Sequence, residues 1–461
     1  MTAREAAFVR HARIGAPVTL TIEKLVHGGR GLARLEGAPV FVAGALAGER
    51  VEAVVTAVRK GYLEAALARV TAPSPDRIEA PCPLVATCGG CQIQHLAYRA
   101  QLEAKRAIAV ESLRRLGGLA ADVPPVTPSP DVFGYRVRAD LKVGTMGGKR
   151  VLGFHAARSR TVVPVPACPV LHPRLQAALG PLSDLVARRT ASISGRKTAS
   201  TSGRGNRGLA GLEEVEIQTT GAGPDLVIVF RMRALDRRTL GAIGRELRGA
   251  LPLRGLVAYD QRRHRWVGGG DAIEERIDGI DCRVSDRTFL QINPGVNAAL
   301  VSAVVEWAEL SGRERVVDLY AGFGNFSLPL ARRARLVTAV ESSPSAVADA
   351  RFNARASGVG LRVASSPVES WTPEADEGSP DLVVVDPPRA GLTQAALDRV
   401  VALAPPKILY VSCEPATLAR DAGRLARAGY RLARIQGFDM FPHTAHVEIL
   451  AEFTGPPTAR D

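Results

Sequence analysis

No apolar run in this chain approaches the roughly 18–20 residues needed to cross a bilayer, and the opening MTAREAAFVRHARIGAPV holds no apolar core of signal-peptide length. A cytoplasmic protein with no membrane contact is the expectation. Cysteine is scarce, with six residues in 461. In a reducing compartment so few argue against a disulfide framework and leave metal binding or catalysis. No Walker phosphate-binding sequence occurs either, which disfavours ATP as a ligand.

Positive charge, by contrast, is plentiful: 60 Lys and Arg against 46 Asp and Glu give a net +14. Such an excess suits a polyanionic partner, nucleic acid first; a basic surface that serves only solubility is the alternative. The chain is too long for one core, and domains of about 100–200 residues predict two to four. Residues 14–72 alternate in short β-like runs around Gly-containing turns such as GGRGLARLEGAP, the pattern of a small β-barrel. TAPSPDRIEAP then reads as a linker. A cysteine-bearing segment follows, with an amphipathic helix in YRAQLEAKRAIAVESLRRLGG that ends on Gly.

Residues 73–286 read as a central α+β domain. A Ser/Gly/Arg-rich basic insertion near 188–211 has almost no large apolar residues and reads as a flexible loop, with RNA contact or no role as the two options. Over 287–456 the runs RVVDLY, RLVTAVES, PDLVVVDPP and KILYVSC alternate with helical patterns, as buried parallel strands of a doubly wound sheet do. The predicted fold class is therefore α/β, a Rossmann-like C-terminal domain behind a β-barrel and a central α+β domain.

The chemistry-bearing motifs lie at the ends of those strands. DLYAGFGNFSLPLA puts a Gly-rich turn between strand and helix, where Gly322 and Gly324 admit close approach of a ligand. Glu341 follows at the next strand end, about twenty residues on, suited to a ribose diol. The turn lacks the full Gly-x-Gly-x-x-Gly fingerprint, so S-adenosylmethionine fits better than NAD. LVVVDPPRAG places Asp386 before two prolines that stiffen the exit from the sheet. KILYVSCEPATLARD brings Cys413 to a strand end as a candidate nucleophile, and Glu448 in FPHTAHVEILAEF is a carboxylate able to take a proton. As bland alternatives, Cys413 is a small buried hydrophobe and Glu448 an ordinary strand residue. A second set, Cys82, Cys88 and Cys91 in a Cys-x5-Cys-x2-Cys spacing with remote Cys168, suits a [4Fe–4S] cluster or zinc, and spacing alone does not separate them. Cys282 is left over and reads as structural.

Together these motifs resemble the RNA uracil-C5 methyltransferase family, especially its 23S ribosomal RNA members, over nearly the whole chain. The resemblance implies that the barrel is a TRAM RNA-binding domain and that the four cysteines hold a [4Fe–4S] cluster, zinc being the lesser occupant. It implies S-adenosylmethionine positions at Gln291 in FLQINPGVN, Tyr320, Glu341 and Asp386, with Asn325 in the same Gly-rich motif. It also implies Cys413 as nucleophile and Glu448 as base. Two departures stand out. The nucleophile motif usually reads Ser-Cys-Asn-Pro and here carries Glu414, a carboxylate that raises the thiol pKa unless it points away. Ala321 occupies a position that is Cys in many relatives.

The expected reaction adds the Cys413 thiolate to uracil C6, methylates C5, removes the C5 proton through Glu448 and eliminates the enzyme. The target base must leave its stack to be reached. The substrate expected is 23S rRNA, with tRNA as the alternative, and the enzyme is expected to act as a monomer. An amino-methyltransferase and a catalytically decayed RNA-binding or folding factor are the rivals.

Overall fold

In a computed structural model of the chain, residues 12–190, 209, 211–221, 223, 225–374 and 378–455 are described. Most of the basic insertion near 188–211 lies outside them; the helix Pro173–Thr190 runs into its first residues.

Residues 17–72 form one six-stranded, curled sheet. In its strand Ala38–Ala43, Ala38, Val40 and Val42 are buried while the residues between them are partly open, the period of two that puts one face in a core. A seven-stranded sheet follows within residues 138–269. Helices Pro173–Thr190 and Arg237–Ala250 cover it through Leu175, Leu179, Leu182, Leu240, Ile243 and Leu247.

The hairpin Ala272–Ile277/Ile280–Ser285, placed in the central domain by its sequence, is a separate two-stranded sheet. It is tied to the C-terminal part: the Arg283 amide donates to Asn353 Oδ1 and the Ser285 amide to Asp349 Oδ2, each at 2.8 Å. Cys282 is fully buried there among Ile273, Val284 and their neighbours.

The C-terminal sheet has seven strands: β1 (Arg315–Leu319), β2 (Leu336–Glu341), β3 (Arg362–Ser365), β4 (Leu382–Val385), β5 (Lys407–Ser412), β6 (Arg431–Phe438) and β7 (Glu448–Thr454). Their order is β3-β2-β1-β4-β5-β7-β6, parallel except for β7, which runs against both neighbours. Helices α1 (Pro294–Ala308), α2 (Ser327–Ala331), α3 (Pro344–Ser357), α4 (Gln394–Ala402) and α5 (Pro415–Arg427) belong to the same part of the chain. Strand β4 is apolar at every position because both of its faces are covered: Leu382 and Val384 enter one core, Val383 and Val385 the other.

Candidate active site

In an open α/β sheet, ligands bind beyond the carboxyl ends of the strands, where the order reverses. Here that point lies between β1 and β4. It puts Tyr320, just past β1, and Asp386, just past β4, on either side of the crevice. Tyr320 turns the chain with φ +64°, a left-handed conformation uncommon for a non-Gly residue. Gly322 and Gly324 continue the turn at φ +59° and +103°, and a Cβ at Gly324 would come within 2.8 Å of Leu328 Cγ. Only glycine fits there without displacing α2.

Glu341, the last residue of β2, clamps this turn. Its Oε2 accepts the Gly322 N–H at 3.0 Å and its Oε1 the Ser343 N–H at 2.6 Å. Beneath the turn Asp318 is fully buried, bonded through one oxygen to the Ser327 hydroxyl. Burial, added to by the Glu341 charge, pushes its carboxyl up to about 7 despite the Ser327 bonds. Asn325 and Asn297 exchange amide hydrogen bonds at 2.9 and 3.1 Å, so Asn325 braces the turn against α1. Gln291 is buried just ahead of α1 and lines a small cavity with Leu290, Pro294 and Asn297.

Cys413 follows the last residue of β5, and Glu448 is the first residue of β7. Because Ser412 pairs with Ile449, the antiparallel register sets Cys413 beside Glu448 although 34 intervening residues separate them. Burial pushes the Cys413 thiol up to about 12; Glu448, Asp386 and Glu414 add to this and Arg389 opposes it. Burial also raises the Glu448 carboxyl well above the usual range, with Asp386 adding and Arg389 opposing. Asp386 is pushed up to about 7 by burial and by Asp318.

Arg389 was not singled out from the sequence, where it is one of 60 basic residues. Its importance is positional: it is the guanidinium that favours the charged forms of both Cys413 and Glu448. The DPPRAG loop that carries it is held by α5. Thr417 Oγ1 donates to the Arg389 carbonyl at 3.1 Å, and Arg420 Nη2 to the Ala390 carbonyl at 2.9 Å. Asp421 accepts the Leu392 amide and the Tyr410 hydroxyl at 2.8 and 2.9 Å. Glu414 turns away from the thiol to become the N-cap of α5, accepting the Ala416 N–H, and its other oxygen lies 3.4 Å from His27 Nε2 of the N-terminal sheet.

Cys82, Cys88, Cys91 and Cys168 line one cavity of about 370 Å³ with Tyr135, Arg136 and Thr444. The spacing named the first three with Cys168 as a remote fourth, and the fold brings Cys168 to the same cavity. Backbone N–H groups point at the sulfurs: Gly90 N–H donates to Cys88 Sγ at 3.4 Å, and those of Val170 and Leu171 face Cys168. Burial and the three neighbouring thiols push Cys91 up to about 12, a repulsion that bound cations would reverse.

The sheet order and the strand-end residues define a nucleotide-cofactor methyltransferase fold, and whole-chain likeness agrees. The crystal structure of Pyrococcus abyssi tRNA (uracil-54, C5)-methyltransferase in complex with S-adenosyl-L-homocysteine superposes with a TM-score of 0.70 at 26% identity, covering 95% of this chain and 100% of that one. The TRAM domain signature matches residues 12–68, and that of the tRNA (Uracil-5-)-methyltransferase family matches residues 271–365 and 376–451. An uncharacterised RNA methyltransferase of Gloeobacter violaceus is 38% identical over 95% of this chain and 96% of its own. The 23S rRNA (uracil(1939)-C(5))-methyltransferase RlmD of Edwardsiella ictaluri is 35% identical over 92% and 93%. This chain belongs to the RNA uracil-5-methyltransferase family, with a TRAM domain at its N-terminal end. Among the described residues, no helix is long and apolar enough to cross a membrane.

Proposed function

We propose that this enzyme methylates C5 of a uridine in 23S rRNA through a covalent Cys413 adduct, with Glu448 as the base. The observation that carries the proposal is the register of β5 against β7, which sets a thiol and a carboxyl side by side at the cofactor edge of the sheet. Uracil C5 is too weak a nucleophile to be methylated unaided; thiolate addition at C6 makes it an enolate carbon. S-adenosylmethionine supplies the electrophilic methyl group when bound. Cys413 attacks C6, Glu448 takes the C5 proton after methylation, and the C6–S bond breaks to return the thiolate. Arg389 holds charge on both groups while they react.

Tyr320, Glu341 and Asp386, at the strand ends, would hold the cofactor, Glu341 at its ribose and Asp386 near its base or the uracil; Gln291 would join them on the family resemblance, the cavity it lines being shared with the 272–285 hairpin. Asn325 acts by keeping the turn in shape. The barrel of residues 14–72 would contribute phosphate contacts, with the central sheet of 138–269 and the C-terminal part, to which the hairpin from residue 272 is tied, completing the RNA surface. For the four cysteines we favour an iron–sulfur cluster. Tetrahedral zinc would gather the sulfurs to within about 4 Å of one another, whereas among the described residues no three of them lie within 4.8 Å. The wider cavity suits a [4Fe–4S] cluster held by four thiolates.

The rRNA substrate rests on the RlmD relatives at 34–35% identity; a tRNA substrate rests on the Pyrococcus structure at 26%. Mass spectrometry of both RNAs from a deletion strain, complemented with wild type or Cys413→Ala, separates the two. Loss of one or two 5-methyluridines from 23S rRNA, restored by wild type alone, is the expected result. Loss confined to tRNA overturns the rRNA assignment, and full rescue by Cys413→Ala overturns the covalent mechanism in favour of a different methylation chemistry. RNA carrying 5-fluorouridine is expected to trap the adduct, because the base cannot remove fluorine as a proton.

A further inference from the structure

Glu448 is delivered by the loop between β6 and β7, and that loop is fastened to the cysteine site. Gln92 follows Cys91 directly. Its side-chain amide donates from Nε2 to the Gly89 carbonyl at 2.9 Å, and its Oε1 lies 3.4 Å from the Ala445 N–H, which donates to it. One side chain thus spans the cysteine loop and the loop of the base. The backbone repeats the connection: the Gln92 and Ile93 amides both donate to the His443 carbonyl, at 3.1 and 3.0 Å.

His443 needs those bonds. Its φ is +68°, a left-handed conformation that is strained for a non-Gly residue and persists only when its surroundings over-determine it. Gln101 supplies the rest. Its Oε1 accepts the His443 N–H at 2.9 Å, while Phe133 stacks on the imidazole at 4.4 Å between centroids. Thr444 lines the cysteine cavity itself. From there only Ala445, His446 and buried Val447 separate the fixed point from Glu448.

We propose that Gln92 is a positioning residue, tying order in the cysteine site to the placement of the catalytic base. The inference rests on the assignment of Glu448 as base. Loosening the tie displaces Glu448 from the C5 proton while leaving Cys413, on β5, in place. Attack and methylation then proceed, and proton removal becomes slow. A misplacement near 1 Å costs a general base about 100-fold.

The test uses the holoenzyme with Gln92→Met, which keeps the side-chain length and loses its hydrogen bonds, and Gln92→Asn, too short to span both loops, as the milder variant should the first not fold. Single turnovers on RNA with protium or deuterium at the target C5 are quenched in denaturant, and iron content, RNA affinity and melting temperature are measured alongside. The expected result for either variant is a turnover rate down about 10–100-fold, accumulated covalent RNA–protein adduct and a raised C5 deuterium isotope effect, with iron and RNA affinity as in wild type. An unchanged isotope effect without adduct accumulation, whether activity or iron is kept or lost, overturns the proposal. Glu448→Gln is the control. If it too shows neither adduct nor isotope effect, the assignment of the base has failed; if it shows both while the Gln92 variants show neither, only the tie has.

Discussion

Asp318 lies fully buried under the Gly-rich turn, one oxygen bonded to Ser327 and the other without a hydrogen-bond partner. Its folded-state pKa near 7, against 3.8 for the ordinary group, means that the native protein holds this proton more tightly than the unfolded chain does. Its contribution to stability is complete below about pH 4 and lost as pH rises through about 7. Asp318→Asn, which carries no charge at any pH, is therefore expected to shrink the fall in melting temperature between about pH 5 and about pH 8 by several degrees. Calorimetry at the two pH values checks this, and an unchanged difference would contradict it.

Cys413 faces the same physics. With its thiol pushed up to about 12, the free enzyme carries little thiolate at neutral pH, so alkylation by iodoacetamide is expected to speed up about tenfold per pH unit from neutrality upward. A plateau below about pH 9 would show an unperturbed thiol. Arg389→Ala should slow alkylation at every pH, since Arg389 opposes the rise. Cys413 and Glu448 were readable as chemistry-bearing types at strand ends. Arg389 was not, because nothing in a string of 60 basic residues says which one faces a thiol.

Among elements, α5 carries the most distinctive feature of this chain. Glu414 stands where the family's nucleophile motif usually has Asn, and a carboxylate next to the nucleophile looked unfavourable. The helix start resolves much of this: Glu414 caps α5, where negative charge meets the positive end of the helix dipole, and turns its other oxygen to His27. A residual effect on Cys413 remains, the smallest of those raising it. Asn is the stronger N-cap, so Glu414→Asn is expected to leave stability unchanged or raise it by up to about 1 kcal/mol, and to speed Cys413 alkylation at fixed pH. Thermal melts and alkylation rates measured together would expose the opposite outcome, a capping loss with no change at the thiol.

The strands of the C-terminal sheet were legible because both faces are buried, leaving uninterrupted apolar runs such as Leu382–Val385. The hairpin at 272–285 was not. Its alternation matches the preceding strands, and only Asp349 and Asn353 on α3 reveal to which part it is anchored.

Over the whole molecule, the buried Lys105–Asp439 ion pair ties together segments 334 residues apart in the chain. Lys105 also donates to the Phe441 carbonyl at 2.9 Å, fixing the helix Tyr98–Ser112 to the loop ahead of Glu448. Lys105→Met keeps the packing but strands a buried carboxylate, and a loss of about 3–5 kcal/mol is expected in denaturant unfolding; a loss below about 1 kcal/mol would mean the pair is solvated.

Local pattern alone was enough for the fold class and the family, and it nominated the cysteines and the strand-end residues as candidates, because periodicity and motif spacing are properties of neighbours along the chain. Pairing across distance was settled by tertiary structure: Cys413 beside Glu448 through strand register, Cys168 joined to three cysteines some eighty residues earlier, and Gln92 against Ala445. Those contacts arise where packing closes loops of tens to hundreds of residues, and no short-range signal encodes which ends will meet.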